Sequence, residues 1–148
     1  MPVPDVVRDL AVLVAAMSPC LHEGEYVFTS VRGPIPAGAD PVVTVVEDEG
    51  RTLVVPREQA DALGLPYTFV AGWITLRVHS ALDAVGLTAA VSRALADAGI
   101  SANVVAGCHH DHLFVPHDRA DAAMRTLEAL SRCATGQPET TRASGPGK

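Results

Sequence analysis

Between Trp73 and His79 the chain alternates. Ile74, Leu76 and Val78 are apolar, and Trp73, Thr75, Arg77 and His79 fill the positions between them. A period of two belongs to a strand with one buried face, so Ile74, Leu76 and Val78 are expected in the core. The period then changes. Leu87, Val91, Leu95 and Ala98 recur at helical spacing, and Gly99 stands where a left-handed residue ends a helix. Two β-rich runs follow, 100–106 and 112–116, joined by the polar residues Gly107, Cys108, His109, His110 and Asp111. That connection is short enough for a hairpin, and the unit reads β-α-β-β.

Upstream, Val6, Val7, Leu10, Leu13 and Val14 mark an amphipathic helix over residues 4–17, with Asp5 as its cap and Ser18-Pro19 as its end. Residues 26–31 read as a strand. The stretch from Gly33 to Gly38 continues neither ladder. Residues 42–46 and 52–55 read as two more strands around a Glu47–Gly50 turn. Pro56 opens a short helix that stops at Gly64, and residues 67–70 lead as a further strand into Trp73.

The chain also repeats itself. Leu53-Val54-Val55-Pro56-Arg57-Glu58-Gln59-Ala60-Asp61-Ala62 aligns without a gap with Leu113-Phe114-Val115-Pro116-His117-Asp118-Arg119-Ala120-Asp121-Ala122, 60 positions later. The same offset lays the Glu47–Arg51 turn on Gly107–Asp111. This is a repeat of strand, turn, strand, proline and helix. The copies differ upstream, where the second has a helix between its first two strands and the first has a loop. The amino-terminal helix is expected to fill that missing layer. The second copy lacks a fourth strand, and so must borrow an edge from the first copy or leave one open.

The fold expected is α+β: tandem ferredoxin-like βαββαβ repeats, antiparallel sheets with helices on one face. The divisions are residues 1–70 and 71–132, followed by a disordered tail over 133–148, which has no apolar period.

Composition narrows the function. The chain has 148 residues, 48% hydrophobic and 19% charged, which suits a globular core. Its net charge is −6 and its eleven Lys and Arg are scattered, so neither nucleic acid nor a membrane surface is an expected partner. The first apolar run is too short to span a bilayer and follows Asp5 and Asp9 rather than positive charge, so a cytoplasmic location is expected. Three cysteines without C-x-x-C spacing point to reduced thiols.

The run V-G-L-T-A-A-V-S-R-A-L-A-D-A-G-I-S-A-N-V-V, followed by H-D-H-L-F-V-P, resembles the ACT domain, a ferredoxin-like module. More closely the chain is similar to paired ACT repeats of small bacterial proteins related to the CASTOR-type arginine sensors and to the regulatory end of aspartate kinases. The resemblance covers roughly residues 10–132 and is strongest over 73–130. It implies non-catalytic, regulatory binding of an amino acid or similar small metabolite where two ACT units meet, in a homodimer and without a cofactor.

Carried over by residue, the resemblance assigns ligand binding to His79, Ser80, Asp83, Val85, Gly86 and Leu87 at the strand-to-helix turn. It adds Asn103, Val104, Val105 and Gly107 on the following strand. A helix start offers free N–H donors and the positive end of the dipole, which suit a carboxylate, and a glycine there permits close approach. Asp83 either receives an α-ammonium or caps the helix.

Two other readings stand beside this one. His109-His110-Asp111-His112 places three imidazoles and a carboxylate in four residues, which is a candidate metal or metal-dependent catalytic site. Adjacent hairpin residues point to opposite faces, however, so a solvated turn is the simpler account and no metal is assigned. His22, His79 and His117 read as isolated surface or edge residues. The third reading is a structural module whose open sheet edge pairs with itself or with another protein. No nucleophile elbow, Walker motif, dinucleotide fingerprint or H-E-x-x-H is present.

Overall fold

The structure, a computed structural model, describes residues 9–78 and 82–136. Its elements in chain order are α1 (Leu10–Ala16), β1 (Ser18–Leu21), β2 (Tyr26–Val31), β3 (Val43–Glu47), β4 (Gly50–Pro56) and α2 (Arg57–Leu63). They continue with β5 (Val70–Arg77), α3 (Leu87–Asp97), β6 (Asn103–Ala106), β7 (Asp111–Pro116), a 3-10 turn over His117–Arg119 and α4 (Ala120–Thr135). All seven strands join one antiparallel sheet in the order β3-β4-β2-β5-β7-β6, with β1 attached to β5.

β5 belongs to both repeats. One edge pairs along Ala71–Leu76 with β7. The other edge is divided: Val70 and Ala71 pair with Val27 and Tyr26 of β2, and Ile74–Arg77 pair with β1. The first repeat therefore comprises β2, β3, β4, α2 and the start of β5. The second comprises β5, α3, β6, β7, α4 and, as its fourth strand, β1. The borrowed edge expected from the sequence is this strand. His22 N–H donates to the Trp73 carbonyl at 2.9 Å. By alternation along the ladder, Pro19 turns its missing donor away from β5, as an edge proline must.

The amino-terminal helix corrects the expectation made for it. It leaves the first repeat's helical gap unfilled and packs instead on α4 and α3, with Leu13, Val14 and Met17 buried beside Ile74, Leu76, Leu95 and Leu127 in the second repeat's core. Its cap is Asp9, whose Oδ1 accepts from Val12 N–H at 3.0 Å; Asp5 lies outside the described residues. Hydrophobic burial along a helix is decided by which apolar face is open to receive it, and the second repeat's sheet is the larger such face.

The repeat itself is visible in the structure. Leu53, Val54 and Val55 and their counterparts Leu113, Phe114 and Val115 are all fully buried. Pro56 and Pro116 open the following helices at φ/ψ of −52/134° and −52/131°. Ile74, Leu76 and Val78 face the helices as the alternation requires, and Leu87, Val91 and Leu95 form the buried stripe of α3. Ala98 is exposed. Gly99 takes φ +70°, and Gly64 closes α2 at φ +63°. Gly72 allows a close approach of strand and helix, since a Cβ there would stand 2.9 Å from Ala120 Cβ. α4 continues through Thr135, three residues into the stretch assigned to the tail; residues 137–148 lie outside those described.

Leu13 tests the crossing of α1 into the second core. Leu13→Ala is expected to cost about 2–5 kcal/mol, as for other fully buried leucines. Urea unfolding followed by far-UV circular dichroism measures this, and a loss under about 1 kcal/mol would show that α1 is not part of that core.

Candidate functional site

The residues assigned from sequence separate into three places. Asp83, Val85 and Gly86 lie in the connection between β5 and α3, at the end of the sheet where β5 finishes and β7 begins. Gly107 lies in the β6–β7 turn at that same end. Leu87 and Val104 belong to the helix-side core. Asn103 and Val105 sit opposite Phe114 and His112 in the ladder, on the sheet face away from the helices. His79 and Ser80 lie outside the described residues. Period-two alternation explains the split: neighbours on β6 face opposite sides of the sheet, so Asn103, Val104 and Val105 do not share one surface.

At the helix start the N-cap residue is Gly86, with φ +107°, which has no side chain to cap α3. Three aliphatic side chains surround this turn. Leu82 and Val85 are 73% and 84% exposed, and Leu10 of α1 is 40% exposed. Leu10 takes the space a Cβ on Gly86 would need, with Cδ2 at 3.0 Å. The glycine thus serves the left-handed conformation and the α1 contact together. In the β6–β7 turn, Gly107 N–H donates to the His110 carbonyl at 2.9 Å, and a Cβ at Gly107 would stand 2.7 Å from that oxygen.

A polar and aromatic group occupies the face away from the helices. Trp73 and Thr75 alternate out of the core on β5, and the register sets Phe114 and His112 opposite them. The His22 ring stacks on Trp73 with centroids 3.6 Å apart and planes at 10°. Tyr26 meets the same indole edge-on at 5.3 Å. Thr75 Oγ1 lies 2.7 Å from His22 Nε2 and 2.9 Å from His112 Nδ1, and Trp73 Nε1–H donates to His112 Nδ1 at 3.2 Å.

An indole nitrogen can only donate, so His112 Nδ1 is the acceptor and carries no proton. The Thr75 hydroxyl must then donate to Nδ1 and accept from His22 Nε2–H. The chain of hydrogen bonds has one direction, and it requires neutral His112.

The electrostatics agree with this direction. Burial lowers the His112 pKa, with His110 adding to the effect and Asp111 opposing it. Burial, then the charges of His112 and Arg77, lower that of His22. Burial raises the Asp111 carboxyl. His22 is therefore not the isolated residue the sequence suggested. Its link to Thr75 spans 53 positions, and only the β1–β5 pairing creates it. Among the described residues, no group of three or more His, Cys, Asp and Glu is placed to hold a metal ion.

The two repeats also meet at a carboxylate. Glu25, just before β2, accepts from Arg57 Nη1 at 2.8 Å and lies 3.5 Å from His117 Nε2. Arg57 and His117 are counterparts 60 positions apart. His117, read from sequence as isolated, thus faces an acidic partner. Arg57 Nε also donates to Tyr67 Oη, which donates to Asp61 at 2.7 Å. Glu25, then Tyr67, raise the Arg57 pKa above its ordinary value. A cavity of about 550 Å³ opens here between Glu23, Tyr26, Arg57 and Asp61. No helix among the described residues is long and apolar enough to cross a membrane.

The histidine pair sets a pH dependence. Both imidazoles bind protons less readily in the folded chain than at their ordinary value of 6.5, so the unfolded chain takes up more protons as pH falls below that value. Stability is expected to be complete above about pH 7 and to decline towards pH 5.5, with the raised Asp111 acting in the opposite sense at lower pH. His112→Gln should flatten the decline in urea-unfolding free energy between these pH values. An unchanged slope would assign the titration to other groups. Thr75→Val, which removes the acceptor of His22 Nε2–H and leaves His112 Nδ1 only the indole donor, should cost about 1–3 kcal/mol at neutral pH.

Family models of the ACT domain match residues 6–72 and 68–129. A crystal structure of a Vibrio cholerae protein of unknown function, described as a possible transport protein, is 44% identical. It superposes with a TM-score of 0.76 over 82% of this chain and 95% of that one. A protein from Agrobacterium tumefaciens is 21% identical with a TM-score of 0.64, over 78% of this chain and 89% of that one. The regulatory subunit of aspartate kinase from Thermus thermophilus, in its ligand-free form, shares the fold at 12% identity and a TM-score of 0.53, over 78% and 98% of the two chains. No curated protein matches the sequence significantly. ACT domains are typically regulatory ligand-binding modules, and the chain belongs to the ACT-domain family, with two ACT units in tandem.

Proposed function

We propose that this chain is a non-catalytic regulatory protein that binds an amino acid or similar small metabolite at the amino-terminal turn of α3, where that turn meets a second ACT unit. The observation that supports this reading is the glycine-led start of an eleven-residue helix bordered by the exposed side chains of Leu10, Leu82 and Val85. Free first-turn N–H groups and the helix dipole suit a ligand carboxylate, and the aliphatic border suits its side chain. Asp83 stands three positions before the turn to meet an α-ammonium. Within this reading, the Gly107 turn forms a wall at the same end of the sheet, while Asn103 and Val105 act on the opposite face and outside the pocket. The first repeat has a loop where this helix would be, so a single chain carries one such site.

A thermal-shift screen against the twenty amino acids tests the proposal. A ligand at about 100 times its dissociation constant should add roughly 2.7 kcal/mol, visible as a raised midpoint. Val85→Glu should leave the unliganded midpoint in place, because the side chain is exposed, and should abolish the shift by setting a carboxylate against the ligand's own. If Val85→Glu binds the identified ligand as tightly as the wild type, the ligand sits elsewhere. If no amino acid shifts the midpoint, the reading fails.

A further inference from the structure

The fourth strand of the first repeat is cut short. β5 pairs with β2 only at Ala71 with Tyr26 and at Val70 with Val27. Arg57 N–H donates to the Glu25 carbonyl at 2.9 Å. Hydrogen-bonded pairs alternate from there, so Val27, Thr29 and Val31 bond to β4, and Phe28 and Ser30 turn their backbone groups to the other edge. Residues 66–69 pass that edge outside the ladder, with the rings of Phe69 and Phe28 6.0 Å apart.

A cavity of about 500 Å³ lies in the gap, between Phe28, Thr29 and Ser30 of β2, Thr52 of β4, Glu47 of β3 and the 66–68 segment. Thr29 is 5% exposed, and its hydroxyl has no hydrogen-bond partner. Buried hydroxyls are normally paired, so one left over in the wall of a cavity marks a place for a polar group.

The wall has an acceptor-rich part and an apolar part. Ser30 stands opposite Thr52 in the ladder, and the Thr52 hydroxyl donates to the Glu47 carboxylate. With that proton committed, Glu47 and Thr52 can only accept there. Phe28, Pro66 and the ring of Tyr67 supply the apolar part. The Tyr67 hydroxyl is already engaged, donating to Asp61 and accepting from Arg57.

We infer that this cavity binds a primary amine with an aromatic body, the ammonium on Glu47 and the ring against Phe28 and Tyr67. An ammonium brings positive charge and several donors to a group of acceptors, which is what this wall lacks. No lysine or arginine is among the residues that line the cavity, so a ligand carboxylate or phosphate would meet only negative charge. An exposed ion pair contributes little alone, and the rings must supply much of the affinity. The inference is independent of the amino-acid reading above, which rests on recognition of a carboxylate at the turn before α3.

An amide-resolved NMR titration of the full chain tests the site, with phenethylamine, phenethyl alcohol and hydrocinnamate as probes of similar shape and different charge. The amine is expected to shift the amide signals of Thr29, Ser30, Thr52 and Thr68 saturably. The alcohol should bind at least about tenfold more weakly, and hydrocinnamate should leave those signals in place. Glu47→Gln, at an exposed position, should keep the melting midpoint and reduce the amine to the affinity of the alcohol. Thr29→Val loses no hydrogen bond in the free chain, so its midpoint should not fall, whereas its affinity for the amine should drop about threefold or more. Three results would overturn the inference: no saturable shift at these amides with the amine, hydrocinnamate binding as tightly as the amine, or either variant binding the amine like the wild type.

Discussion

The fold depends on one strand having to serve two repeats. β5 pairs with β7 along one edge, and its other edge is divided between β2 and β1. A strand has only two edges, so the first repeat receives just Val70 and Ala71, and everything beyond belongs to the second. Backbone groups buried in a sheet must be paired, and without β1 the Ile74–Arg77 edge would lose its partners beside a closed core. The short segment Ser18–Leu21 therefore has a structural effect larger than its four residues suggest.

That demand also explains α1. Bringing β1 alongside β5 carries the preceding helix over the second repeat's helices, where Leu13 is fully buried. Cores that exchange segments in this way cannot open one at a time without exposing apolar surface in the other. The joint at Glu25, gripped from one repeat by Arg57 and faced from the other by His117, ties the same boundary with charge. These groups are partly exposed, so the packing, and not the ion pairs, carries most of the cohesion.

The sequence made some of this plain and hid the rest, for reasons that are physical. Ile74, Leu76 and Val78 could be placed because alternation is a local property, and the buried triplets at 53–55 and 113–115 because they recur at a fixed offset. β1 was hidden. Ser-Pro-Cys-Leu has no alternation to read, its proline suggests a helix end, and its partner lies more than 50 residues away. The bonds of His22 and the destination of α1 were hidden with it, since both follow from that one pairing. The assigned site was legible only as a linear stretch. Consecutive residues on β6 looked like one surface, and the pleat distributes them over two.

The two repeats differ by one helix. In the second repeat a helix follows the first strand, buries the inner side of β6 and starts at Gly86 at the end of the sheet. In the first repeat the same position is a loop. The helical cover is lost there, and β3 keeps exposed valines at the end of the sheet. Had both repeats kept the helix, the two would have offered equivalent turns and equivalent edges. Losing one helix removes that degeneracy: the glycine-led helix start belongs to the second repeat, and the exposed valines of β3 belong to the first.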